Sequence, residues 1–132
     1  MAPSYPPASS GRPGHWGAHV TLVPISPRPP TWDLFAHALR ERRTVRASYH
    51  GADRLLCPHA LGWKNGRPKL LAYQIAGSTS HGPLPAEPQQ RWRSMFLDEI
   101  EAAVFADEPW GTADNYSLST NAIDQVELAL AP

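Results

Sequence analysis

The hydrophobic and polar positions divide the chain into a proline-rich stretch and a regularly patterned remainder. Residues 1–30 hold eight prolines among serine and glycine, which leaves too few buriable side chains to offset the entropy lost on ordering. This composition predicts a disordered tail that serves as a linker, with docking to a partner protein as the alternative. Within the tail, HVTLVPI at 19–25 has the apolar content of an edge strand, although Pro24 cannot donate a ladder hydrogen bond.

Helical periodicity begins immediately after the tail, in TWDLFAHALRERR. Trp32, Phe35 and Leu39 recur at the spacing of one helix face, and Thr31 is a residue type that commonly caps a helix N-terminus. The pattern predicts one amphipathic helix over about 32–43.

Alternation with a period of two then predicts strands separated by turns. The predicted strands are TVRASYH (44–50), RLLCP (54–58), KLLAYQIAG (69–77), RWRSMFL (91–97) and EAAVFA (101–106). Asn-Gly at 65–66 predicts a tight turn before the third strand, whereas 78–90 and 107–120 are predicted as polar loops. NAIDQVELAL at 121–130 fits a closing strand and a short helix equally well.

One helix followed by a small, strongly bent antiparallel sheet predicts an α+β domain built on a barrel. A chain of 132 residues suits a single domain. We therefore expect a tail over 1–30 and one domain over 31–132, with its core at 32–106 and an extension at 107–132.

The neutral net charge conceals a strong asymmetry along the chain. Residues 1–95 hold all twelve lysines and arginines against four acids, a balance of +8, while residues 96–132 hold eight acids and no lysine or arginine. Cys57 is the only cysteine, which excludes an intrachain disulfide and favours a reducing compartment. With no apolar run of membrane-spanning length and no secretory signal, we expect a cytoplasmic protein without a membrane partner.

No motif for catalysis stands out. The six histidines lack the spacing of a zinc site, and no phosphate-binding glycine loop or nucleophile elbow is present. Cys57 and His59 lie two residues apart but lack an orienting third group, so a buried structural cysteine is favoured. We expect no enzyme activity, no metal and no cofactor.

Basic residues alternate with apolar ones along the predicted strands and can project from one face of a curved sheet. Such residues are Arg46, Arg54, His59, Arg91 and Arg93. This cluster would attract phosphate, and Tyr73, Trp92 or Trp63 could stack on a base. Solvated or ion-paired arginines are the alternative explanation, and His59 is equally a ligand contact or a hydrogen-bonded strand-end histidine. Tyr73 and Trp92 are individually more typical of a core.

The order of these features resembles the WYL domain family. The residues that match its pattern are Tyr49, Arg54, Pro58, Gly66, Tyr73, Arg93, Phe96, Leu97, Asp98 and Ile100. The resemblance covers about 32–105. The family's Trp-Tyr-Leu triplet stands here as Leu-Ala-Tyr at 71–73, one extra residue separates Arg93 from Phe96, and no helix-turn-helix DNA-binding module precedes Thr31. We therefore expect a divergent, free-standing WYL-like protein.

The resemblance implies an Sm-like, SH3-type barrel with the N-terminal helix packed on it. It also implies a positively charged groove that binds a single-stranded nucleic-acid fragment or a nucleotide, and a protein partner that carries the output function. The expected ligand-binding residues are Arg46, Arg54, His59, Tyr73, Arg91, Trp92 and Arg93. The alternative is a structural or protein-interaction module without such a ligand, in which the arginines are incidental.

Overall fold

The computed structural model describes residues 28–119 and 121–132, so most of the predicted tail, including HVTLVPI, lies outside the described residues. The elements, in chain order, are α1 (Thr31–Glu41), β1 (Thr44–Tyr49), β2 (Ala52–Lys64), β3 (Arg67–Thr79), β4 (Gly82–Pro83), β5 (Trp92–Phe96), β6 (Ile100–Ala106) and β7 (Gln125–Ala129). Two short 3-10 turns lie at Pro88–Gln90 and Leu97–Glu99.

The helix begins one residue earlier and ends earlier than predicted. Pro30 occupies the N-cap position and no side chain caps the first turn, so the prediction that Thr31 caps the helix is wrong. At the other end, Arg42 adopts a left-handed conformation with φ of 51°. That conformation stops the helix at Glu41, because a left-handed residue cannot continue a right-handed helix.

The strands form an antiparallel, strongly curled half-barrel, and together with α1 they confirm the predicted α+β class. The strand order is β4-β3-β2-β1-β6, while β5 pairs with β3 and β7 pairs with β2. Asn65 and Gly66 have φ of 52° and 77° and form the tight β2–β3 turn that the sequence predicted. The second strand is longer than predicted and continues past Pro58, which sits where the β2–β3 register shifts. A bulge accommodates a residue without an N–H group.

Strand β2 pairs with different neighbouring strands along its length. Its residues 52–56 pair with β1, and its residues 60–63 pair with β7. The segment 121–130, for which the sequence left strand and helix open, therefore contributes a strand. The predicted polar loop at 78–90 also carries structure, because Ser78 and Thr79 pair with β4.

Two hydrophobic clusters lie on the two faces of the sheet. The larger one joins α1 to the strands and includes Trp32, Phe35, Leu39, Val45, Ala47, Leu56, Leu61, Leu70, Ala72 and Met95. The smaller one consists of Ala60, Leu71 and Ile123, with Trp92, Tyr116 and Leu118 packed against it. Segments after residue 106 thus cover the sheet face that α1 leaves free.

Candidate functional site

Two arginines of the predicted set lie on the sheet face that packs against α1. Arg54 of β2 lies directly opposite Ala47 of β1, and Arg93 of β5 lies opposite Ala72 of β3. Directly paired residues in an antiparallel sheet share a face, and both alanines belong to the larger core cluster. A small partner at each position leaves room beside it for a long arginine side chain.

These two arginines line one open groove with a volume of about 400 Å³. Its walls come from the strands β1, β2, β4 and β5, from the end of β3, and from the segments on either side of β4. The lining residues are Tyr49, Arg54, Thr79, Ser80, His81, Pro83, Pro85, Arg93 and Ser94. No acidic residue is among them.

Arg54 is held in place and almost completely buried, with 4% of its surface exposed. Its Nη2 donates hydrogen bonds to the carbonyl oxygen of Tyr49 and to Oγ of Ser80, both at 3.1 Å. The guanidinium carbon lies 5.3 Å from the centre of the Tyr49 ring. Its Nε is buried and has no hydrogen-bond partner among the described residues, so part of this cation is desolvated and unsatisfied there.

Arg93 is partly exposed and has fewer contacts. Its one hydrogen bond within the described residues runs from Nη1 to the carbonyl oxygen of Trp92, at 3.0 Å. Its Nε is also buried and has no hydrogen-bond partner in the part of the chain that the structure describes. Each arginine of the pair therefore keeps hydrogen-bonding capacity that the described residues do not use.

The electrostatics of the groove are those of two neighbouring cations. Burial, and then the positive charge of Arg93, lowers the pKa of Arg54, and burial lowers the pKa of Arg93. In residues 28–119 and 121–132, neither arginine forms an ion pair. Arg67, by contrast, binds Asp98 and Glu99 at 2.8 and 2.7 Å. Because arginine stays protonated, the groove holds two positive charges that have no counterion among the described residues.

Tyr73 and Trp92 lie on the opposite face of the sheet, away from the groove. Tyr73 pairs with Trp92 across β3 and β5, and its hydroxyl donates to the carbonyl oxygen of Pro88 at 3.0 Å. The indole nitrogen of Trp92 donates to Oδ1 of Asn115 at 2.8 Å, and its ring stacks on Tyr116 with 5.3 Å between centroids. Both rings are thus packed beneath the segments after residue 106.

His59 belongs to the same face and is 2% exposed. Its Nδ1 lies 2.7 Å from the carbonyl oxygen of Cys57, and its Nε2 lies 2.9 Å from the hydroxyl of Thr112. A carbonyl oxygen only accepts, so Nδ1 carries the proton and Nε2 accepts from Thr112. Burial lowers the pKa of His59, which keeps it neutral. Both ring nitrogens of His59 therefore have hydrogen-bond partners, as the interpretation of a structural histidine expects.

Cys57 is packed rather than reactive. It is fully buried, and the Gly111 N–H group donates to its Sγ at 3.3 Å. Burial raises the pKa of the thiol to about 11, so the nucleophilic thiolate is scarce at neutral pH.

Arg46 and Arg91 are not among the residues that line the groove. Arg46 is exposed and pairs with Leu55 and Val104, on the opposite face of β1 from Ala47. Arg91 donates from Nε to the carbonyl oxygen of Pro85 at 2.7 Å and so anchors the loop before β5. Of the seven residues expected in the site, the structure brings only Arg54 and Arg93 together in the groove.

The sequence pattern did not indicate the groove residues Ser80 and His81. They lie in the region predicted as a polar loop, and β4 folds this loop back onto β3. The glycine at position 82 was a local sequence signal for this reversal. Gly82 has φ of 117°, a conformation that few other residues adopt.

Within the described part of the chain, no group of three His, Cys, Asp or Glu side chains is arranged to hold a metal. No helix in the described ranges has the length and hydropathy needed to cross a membrane. Comparisons with protein-family models, curated proteins and solved structures find no match to this chain.

Proposed function

We propose that this chain is a WYL-like ligand-sensing module whose Arg54–Arg93 groove binds the phosphate of a nucleic-acid fragment or nucleotide. The observation that carries the proposal is that the buried Arg54 and the half-buried Arg93 lie together in a groove of about 400 Å³, each with a buried Nε and with no carboxylate partner among the described residues. Burying unpaired charge is unfavourable. An anion in the groove would supply the missing counterion through charge-assisted hydrogen bonds.

The family resemblance supports the same two residues independently of their burial. Arg54 and Arg93 both match positions of the WYL pattern, whereas Arg46 and Arg91, which match no quoted position of it, lie elsewhere. The strongly curled half-barrel with long β2 and β3 strands is consistent with an Sm-like, SH3-type barrel, and we propose that assignment for the fold. Because Tyr73 and Trp92 are packed on the other face, we assign them to the core.

A module of this kind acts through a partner. We propose that it is not an enzyme, that it operates in the cytoplasm, and that anion binding regulates a protein that carries the output function. The groove offers positive charge and hydroxyl groups, but among its described lining residues we find no paired nucleophile and base.

Affinity measurements on arginine variants test the proposal. Arg54→Ala and Arg93→Ala should each weaken binding of a labelled short single-stranded oligonucleotide by about 1.5–3 kcal/mol, the scale of a hydrogen bond to a charged group. Fluorescence anisotropy at two salt concentrations should show wild-type affinity falling as salt rises. Arg46→Ala is the matched control, since it removes an exposed arginine from the other sheet face. Equal losses in Arg46→Ala and Arg93→Ala, or binding that ignores salt, would contradict a specific groove.

The alternative, a protein-interaction module, is favoured by one feature. Strand β6 lies at the end of the strand order, where β1 is its one partner strand within residues 28–119 and 121–132, and its Val104 and Phe105 are 53% and 37% exposed. An apolar edge of this kind can add a strand from another chain. Docking there would depend little on salt and would survive Arg93→Ala.

A further inference from the structure

The groove that we propose as an anion site also constrains which phosphate it can take. We infer that it prefers a terminal phosphomonoester, carried by a mononucleotide or by the phosphorylated end of a strand, over an internal phosphodiester. This inference rests on the proposed function and specifies its ligand class.

Charge matching is the first argument. Arg54 and Arg93 give the groove two full positive charges, and no acidic residue is among its described lining residues. A phosphodiester carries a single negative charge, so one guanidinium would remain uncompensated. A phosphomonoester carries about −1.5 to −2 near pH 7 and compensates both.

Available donors give the second argument. The Ser80 oxygen accepts from Nη2 of Arg54 at 3.1 Å, and among the described residues the hydroxyl hydrogen of Ser80 has no acceptor, so it can bond to an anion. The Tyr49 oxygen accepts from the Phe96 N–H group at 3.2 Å, and its hydrogen is likewise uncommitted among the described residues. With Arg93, these groups surround the groove with several donors. A phosphomonoester presents three terminal oxygens to them, one more than a diester does.

Size gives the third argument. The groove volume of about 400 Å³ lies near the lower end of the range for small-molecule sites, about 300–1,000 Å³. That space suits one nucleotide-sized group rather than a strand of several nucleotides. A strand would therefore enter by its end, where the monoester is.

The test compares ligands that differ only in the phosphate. Isothermal titration of the full chain with AMP and with 3′,5′-cyclic AMP keeps base and sugar constant while changing a monoester into a diester. We expect AMP to bind at least about tenfold more tightly. A 5′-phosphorylated oligothymidylate should likewise bind more tightly than the same strand with a 5′-hydroxyl. If the protein prefers AMP over cyclic AMP but does not distinguish the two strands, the ligand is a free nucleotide. If it prefers only the 5′-phosphorylated strand over the 5′-hydroxyl strand, the ligand is a strand end.

Two variants connect any preference to the groove. Arg93→Ala should reduce the AMP preference at least about threefold, because the second positive charge is lost, whereas Arg46→Ala should leave it unchanged. Arg93 is partly exposed, so its variant keeps the test valid even if replacement of the buried Arg54 unfolds the protein.

The outcomes separate this inference from the proposed function. Equal affinity for AMP and cyclic AMP, together with equal affinity for both strands and a loss in Arg93→Ala, overturns the monoester preference and leaves the anion groove in place. Absence of binding to all four phosphate compounds overturns both.

Discussion

At the residue scale, the environment of each basic side chain separates residues that look alike in the sequence. Arg46 and Arg54 both occupy strands with alternating apolar residues, so periodicity treats them equally. The structure buries Arg54 and exposes Arg46, because Arg54 pairs with the core residue Ala47 and Arg46 pairs with Val104. Which face a residue takes depends on strand register, and the sequence pattern does not show that Arg54 pairs with Ala47 of β1.

Replacing Cys57 by serine should lower stability without abolishing anion binding. The thiol is buried and keeps its proton, so it serves packing, and a hydroxyl in that site costs roughly 1–3 kcal/mol. Urea denaturation measures the loss, and oligonucleotide anisotropy measures binding. Cys57→Ala is the control for volume. Loss of binding in a variant that still folds would show that the thiol acts in the site.

The buried His59 should make stability depend on pH. Its pKa is lowered in the folded protein by burial and by the charge of Arg42, partly offset by the hydrogen bond to Cys57. The unfolded chain therefore binds a proton more readily, and stability should fall as pH drops below about 6.5, with a slope approaching 1.4 kcal/mol per pH unit. Urea midpoints at pH 7.5, 6.5 and 5.5 measure this slope. His59→Gln should be flatter across that window, and an equal slope would assign the effect to other groups.

At the element scale, the periodicity of the sequence predicts the helix and the order of the first strands. It does not predict where the helix ends or that the chain adds strand β7. The sequence could not decide between strand and helix at 121–130, because its apolar spacing fits both. In the structure, this segment contains strand β7, whose backbone packs closely against Gly62 of β2. Such a tertiary contact between two backbones is not encoded in the periodicity of the sequence. Likewise, the left-handed Arg42 that ends α1 carries no glycine signal.

Gly62→Ala should displace β7 from the sheet. A Cβ atom at this position would lie 2.0 Å from the Gln125 carbonyl oxygen and 2.6 Å from Cγ2 of Ile123, so the backbone must move. We expect a destabilisation of about 1–3 kcal/mol, the range for overpacking. Hydrogen exchange should show the amides of β7 exchanging faster. Val126→Ala, at a position on β7 that is 43% exposed, is the control and should change stability by less than about 0.5 kcal/mol.

At the scale of the whole molecule, the basic part of the sequence forms ion pairs with the acidic part. Every ion pair in the described ranges joins a base before residue 96 to an acid after it: Arg28–Glu127, Arg43–Asp107, His50–Glu99, Lys64–Asp124, and Arg67 with Asp98 and Glu99. These pairs are at or near the surface and individually weak. They involve four of the eleven lysines and arginines in the described ranges. Arg54 is buried and Arg93 is half-buried, and neither takes part in an ion pair in these ranges. Both arginines line the same groove.

The most direct measurement of the central claim is a double-mutant cycle on Arg54 and Arg93, read out by phosphate-ligand affinity in the intact chain. If both arginines hold one anion, the loss in the double variant should differ from the sum of the single losses by at least about 0.5 kcal/mol, as expected for residues that share a partner. The Arg46/Arg93 cycle should be additive, since Arg46 lies on the other face of the sheet. Additive losses in the Arg54/Arg93 cycle, or single losses no larger than that of Arg46→Ala, would contradict a shared anion site.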